Sequence, residues 1–127
     1  MSVSSFKRAH DLQARAAAAG FDWPQIGGML EKIDEELAEL RQALHARDTD
    51  TAVSEELGDI LFVLVNLARR LALEPESVLH TACDKFERRF THVRAELAKR
   101  GLHPEQAGLD VMEALWNEAK RLEREQP

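Results

Sequence analysis

Apolar residues recur at Leu30, Ile33, Leu37, Leu40 and Leu44 in alternating steps of three and four, the seam of a helix packed in a bundle. The pattern extends to both sides of this seam. Upstream, Ser4 or Ser5 caps a first helix that runs through KRAHDLQARAAAA and stops at Gly20. Asp22 and Gln25, with Pro24 between them, read as a capping box opening the second helix. Gly27 and Gly28 weaken its first turn, so its stable part is expected from about Met29. A third helix is predicted from about Thr51 to Leu73. Its interior, ILFVLVNLA, is apolar nearly all round, which marks a central helix buried on several sides. Glu74 and Pro75 open a fourth helix that persists to Arg100 and ends at Gly101. After a looser LHPEQAG comes a last helix from about Leu109 to Glu125, with Val111, Met112, Leu115 and Trp116 on its apolar side. Neither period-two alternation nor a hairpin signal competes, so the fold class is all-α, a bundle of about five helices.

Length and composition narrow the function classes. The 127 residues read as one helical domain, 1–127, with 44% hydrophobic and 31% charged residues. Seventeen basic against twenty-three acidic residues give a formal charge of −6, which argues against a nucleic acid polymer as partner; any phosphate site must be local. No segment approaches membrane-spanning length, and the expected location is cytoplasmic, with no membrane partner. Cys83, the single cysteine, cannot close an internal disulfide or build a cysteine zinc site, and on its own it reads as a small buried hydrophobe. No histidine stands three residues after a glutamate, which argues against a ferritin-like di-iron centre.

Candidate chemistry is concentrated in two near-copies, EELAEL at 35–40 and EELGDI at 55–60. Each sets an acid three residues after another, Glu36 with Glu39 and Glu56 with Asp59, about 60° apart on one helix face. Glu35 points nearly opposite the seam and reads as solvated or as a supporting residue. The copies are symmetric about Asp48, in ARDTD, a helix-helix connection; reversal there brings all four carboxylates together. Like charges so placed repel and raise each other's pKa, and a hard divalent cation such as Mg²⁺ relieves that cost through oxygen ligands. One acid pair alone would read as a solvated face. Two pairs in matched contexts carry the metal reading.

Gly58, unfavourable in a helix interior by about 1 kcal/mol relative to alanine, suggests a close approach of backbone or ligand. Asn66, two turns beyond Asp59, either satisfies a local network or lines a polar pocket. In KFERRF, Phe86 and Phe90 make an apolar face beside Lys85 and Arg89, which on spacing alone read as the exposed side of an amphipathic helix.

These motifs in order, EExxE, then EELGD sixteen positions on from Glu39 and followed by VNLAR, then KFERRF, then Trp116 and Lys120 four apart, resemble the MazG-type nucleotide pyrophosphohydrolases. The resemblance is closest to their C-terminal catalytic domain and extends from GFDWP at 20–24 to LWNEAKR at 115–121. It implies an all-α fold that dimerises into a helical bundle. It also implies Mg²⁺-dependent hydrolysis of NTPs or dNTPs at the α–β phosphoanhydride to nucleoside monophosphate and pyrophosphate, in nucleotide-pool housekeeping, with Mn²⁺ able to substitute. Glu36, Glu39, Glu56 and Asp59 would then ligate the metal and serve catalysis. Lys85 and Arg89 would hold phosphates, and Trp116 and Lys120 would help form the nucleotide site. Trp116 is the leading candidate to stack on the base, with Trp23 and Phe62 behind it; Trp23 also reads as a hydrophobic staple. The resemblance breaks at Cys83, where the pattern has asparagine, because a thiol lacks the amide's donor and acceptor set. A catalytically silent helical dimer that binds nucleotide or a protein partner is the alternative.

Overall fold

A computed structural model describes residues 4–126, and among them there are six helices and no strand. They are α1 (Ser5–Ala18), α2 (Ile26–His45), α3 (Asp50–Arg70), α4 (Pro75–Lys99), α5 (Pro104–Ala107) and α6 (Leu109–Glu125). The one helix beyond the expected five, α5, is a single turn inside LHPEQAG. Pro104 starts it, and the backbone N–H of His103 donates to Gln106 Oε1 at 2.9 Å. Where length indicates one domain, contacts group the chain into two compact units, one ending at Val78 and the other beginning at Leu79 within α4.

In the first unit α1 and α2 both pack on α3. Ser4 caps α1 by accepting the Lys7 N–H at 3.1 Å, and Gly20, with φ of 95°, closes it in the left-handed region. The capping box expected at Asp22 and Gln25 does not form. Asp22 instead accepts from Trp23 N–H at 2.8 Å and from Arg69 Nη2 at 2.6 Å, and Arg70 donates to the Trp23 carbonyl. Charge-assisted bonds from the end of α3 are stronger than a bond from a helix N–H, so they hold the Asp22 side chain and Gln25 becomes the N-cap without a side-chain bond. The helix starts at Ile26 and includes both glycines, and the Trp23 ring lies 3.4 Å from where a Gly28 Cβ would sit.

The seam of α2 is rotated from the expected one. Met29, Ile33, Glu36, Leu40 and Ala43 are buried or half-buried, while Leu30, Leu37 and Leu44 are 49%, 38% and 56% exposed. The α3 seam runs through Val53, Glu56, Ile60 and Val63. Burial of α3 on several sides does not hold within one chain, because Leu57, Leu61 and Leu64 are 49%, 46% and 43% exposed. This helix ends at Arg70 rather than Leu73 because Ala72 turns left-handed, at φ of 59°.

In the second unit Val93, Leu97 and Leu115 form the core of the α4–α6 pairing, with Phe90, Met112 and Trp116 around them. Gly101, at φ of 70°, closes the turn after α4. Cys83 is exposed, contrary to the buried reading, because it lies outside this packed stretch of α4.

Candidate functional site

The acid motifs meet because the chain reverses between α2 and α3. Arg47 is left-handed at φ of 53°, and Thr49 caps α3 through a 3.2 Å bond from the Ala52 N–H. Glu36 and Glu56 then occupy equivalent positions in two facing seams. One carboxylate oxygen from each of Glu36, Glu56 and Asp59 lies within 4.8 Å of the others. Glu39 is not part of that converging group, although its charge bears on Glu56. Glu35 is 62% exposed, with Oε2 3.9 Å from Lys32 Nζ.

Electrostatics divides the group. Lys32, one turn before Glu36, puts Nζ 2.9 Å from its Oε1 and holds the Glu36 carboxyl below the usual glutamate range. Burial, then the charge of Glu39 and hydrogen bonding with Glu36 and Glu39, push Glu56 above that range. Two buried oxygens, Glu36 Oε2 and Glu56 Oε2, have no hydrogen-bond partner among the described residues. Converging oxygens that lack a donor suit a hard divalent cation, which favours oxygen ligands and supplies the missing positive charge. Gly58 has no atom within 4 Å of its missing Cβ among the described residues, so backbone approach does not explain it.

Lys32 escaped the sequence reading, although its position four residues before Glu36 signals the contact. So did Gln13. It sits in the stripe Phe6, Ala9, Gln13, Ala16 on the inner face of α1, where a polar residue at apolar spacing is the readable cue. Gln13, Trp23, Lys32, Phe62 and Asn66 line one cavity of about 520 Å³ between α1, α2 and α3. Asn66 thus joins a pocket wall, and its Oδ1 also accepts from Arg69 Nε at 2.8 Å. Trp23 is both packed over Gly28 and exposed to this cavity.

In the second unit Lys85 is exposed, whereas Arg89 is largely covered. Arg89 donates through Nε and Nη2 to Glu123 Oε2 at 3.2 and 3.0 Å, and its guanidinium lies 5.6 Å from the Trp116 ring centre. Trp116 also meets Phe86 at 5.3 Å between ring centroids, and Lys120 is half-buried one turn further along α6. His92, Glu96 and Glu118 form another ligand-like group there, but they are paired already. His92 Nε2 is 3.0 Å from Glu118 Oε1, and Lys99 Nζ is 2.8 Å from Glu96 Oε1.

The MazG nucleotide pyrophosphohydrolase domain matches residues 26–94, which include both acid pairs and KFERRF. The chain is 41% identical over 123 residues to the nucleoside triphosphate pyrophosphohydrolase of Escherichia coli (strain K12), an alignment covering 96% of this chain and 47% of that protein. It is 39% identical over 118 residues to the nucleoside triphosphate pyrophosphohydrolase/pyrophosphatase MazG of Thermotoga maritima, covering 93% and 45% respectively. The chain spans about half the length of these curated relatives.

Proposed function

The chain belongs to the MazG nucleotide pyrophosphohydrolase family, and from that premise we propose that it hydrolyses nucleoside triphosphates at the α–β phosphoanhydride, giving a nucleoside monophosphate and pyrophosphate. The observation that carries this reading is the convergence of one carboxylate oxygen each from Glu36, Glu56 and Asp59, in a group where Glu36 Oε2 and Glu56 Oε2 are buried without a partner among the described residues. Glu36, Glu39, Glu56 and Asp59 would hold Mg²⁺, with Mn²⁺ able to replace it, since every donor in the group is a hard oxygen. When bound, the cation supplies positive charge against the triphosphate and activates water as the nucleophile.

The chain's own residues supply the rest. One of the acids not fully used as a ligand would take up the proton of the attacking water. Lys32 pairs with Oε1 of Glu36 and leaves its Oε2, like that of Glu56, without a partner among the described residues. Lys85, Arg89 and Lys120 are assigned to the phosphates, where fixed positive charge offsets the negative charge that develops as the anhydride breaks. Glu123 holds the Arg89 guanidinium from one side and the Trp116 ring packs beside it, which supports assigning Trp116 to the nucleotide site together with Arg89.

The working form we propose is a homodimer. Leu30, Leu37 and Leu44 repeat every seven residues and lie exposed, as do Leu57, Leu61 and Leu64, which leaves apolar stripes on both helices that carry the acids. Cytoplasmic nucleotide-pool housekeeping is the role that suits such an activity; no helix among the described residues is long and apolar enough to cross a membrane.

The test is pyrophosphate release from a panel of ribo- and deoxynucleoside triphosphates, with and without Mg²⁺, with the nucleotide product identified. Monophosphate and pyrophosphate in equal amounts, dependent on Mg²⁺ and lost in Glu56→Ala, is the expected result. Binding of nucleotide and Mg²⁺ without release from any member of the panel overturns the proposal in favour of a silent binder.

A further inference from the structure

Arg89 is held from α6 on two sides. Trp116 and Glu123 stand seven residues apart, two turns along one face of that helix, and the Arg89 side chain reaches both from α4. One and two turns further along α4, Val93 and Leu97 are fully buried against Leu115, so both walls of the contact stand on a packed core.

The bonds are divided between the two carboxylate oxygens. Arg89 Nε and Nη2 both donate to Glu123 Oε2, at 3.2 and 3.0 Å, while Oε1 accepts from Arg88 Nε at 3.0 Å. A guanidinium carries five N–H donors in a rigid planar fork, so fixing its Nε–Nη2 edge also fixes where Nη1 lies. Nη1 has no partner among the described residues and is not buried, which leaves its two N–H groups open to an incoming acceptor. A free arginine loses rotamer freedom when it binds a ligand; Arg89 has lost that freedom already. Nor does the carboxylate cancel the local charge, since Arg88 and Arg89 against Glu123 leave the cluster positive.

We propose that Glu123 is a positioning residue for phosphate binding, holding the Arg89 guanidinium by its Nε–Nη2 edge so that the Nη1 edge meets an oxygen of the triphosphate. Glu123 acts through Arg89 and not on the substrate. This inference deepens the pyrophosphohydrolase reading and rests on it for the assignment of Arg89 to the phosphates.

The test compares Glu123→Gln with Glu123→Ala. Both remove the charge, and only alanine removes the acceptor. The glutamine carbonyl can replace Oε2, which takes both Arg89 bonds, while Arg88, 59% exposed, is free to turn away from the amide nitrogen. The kcat/KM for a nucleoside triphosphate is expected to be about three- to tenfold higher in the glutamine variant, the cost of immobilising one long side chain. In an Arg89→Ala background the same two substitutions are expected to differ by no more than about twofold, because the residue through which they act is gone. Equal values in the two single variants, or a difference that persists without Arg89, overturns the proposal. A second measurement stays in wild type and covers a variant that fails to fold. The Arg89 Nε–H signal of ¹⁵N-labelled protein, assigned by its loss in Arg89→Lys, is expected to shift but persist when inorganic tripolyphosphate and Mg²⁺ are added, because the Glu123 bond is kept as Nη1 is engaged. A signal that vanishes on addition, or does not move, overturns the proposal too. If wild type cleaves no triphosphate, the hydrolase reading fails by itself, and this signal still decides the role of Glu123.

Discussion

Replacing Glu56 by glutamine separates the metal-free and metal-loaded states of the acid group by the sign of the effect. In the metal-free protein, burial and the neighbouring glutamates raise the Glu56 pKa above its ordinary 4.5. A raised acid contributes stability that is present below 4.5 and lost as pH rises through the folded value. Metal-free wild type is therefore expected to melt lower at pH 8 than at pH 5 on account of this group. Glu56→Gln, with nothing to ionise, removes that part of the decline and is expected to melt above wild type at pH 8. Mg²⁺ reverses the order. At a hundredfold excess over its Kd, a ligand that binds only the folded state adds about 2.7 kcal/mol. For a chain of this size that amounts to roughly 10 °C in Tm. The variant, in which a neutral amide replaces one of three converging carboxylates, is expected to gain far less. Thermal melts of both proteins at pH 5 and pH 8, with and without Mg²⁺, give the comparison. If Glu56→Gln keeps the full Mg²⁺ gain, or melts below wild type at pH 8 without metal, the proposed cation site is wrong.

Other consequences are open to simpler measurements. Leu97→Ala empties a fully buried position in the α4–α6 core and is expected to cost about 2–5 kcal/mol in urea unfolding. Arg89 and Arg88 hold the Glu123 carboxyl below its ordinary 4.5, so stability from this cluster is present above that pH and is lost as pH falls through the lowered value; Glu123→Gln is expected to flatten the acid limb of a pH–Tm profile below 4.5. Leu61→Glu places a charge in the exposed α3 stripe and is expected to convert a dimer to monomer in sedimentation at micromolar concentration, with the helical circular dichroism retained. Gly58→Ala meets no atom within 4 Å among the described residues and is expected to stabilise α3 by about 1 kcal/mol in the metal-free protein, read from thermal melts.

Helix positions were legible from the chain because caps, glycines and spacing are local. Ser4, Gly20 and Gly101 mark boundaries through bonds and backbone angles set within a few residues. The convergence of Glu36 with Glu56 and Asp59 was legible for a related reason, since a short reversal between helices brings together residues equidistant from it. Which face of each helix turns inward was not. The expected α2 stripe keeps Ile33 and Leu40 but exposes Leu30, Leu37 and Leu44, because α2 packs on α3 through the side that bears Glu36. Apolar spacing identifies candidate faces, and where a helix has two, only its neighbours select one. The Asp22 capping box failed in the same way: Arg69 and Arg70, more than forty residues away, offered charged donors that no local pattern reveals. Only the tertiary structure set Gln13 against the Phe62 carbonyl, left its Oε1 buried without a partner among the described residues, and placed the residue in the wall of a cavity bordered by Lys32, Trp23 and Asn66. Spacing along each of two helices marked the candidate acids, whereas the pocket required three helices to meet, and the distance between their residues in the chain hides that meeting from any reading of local order.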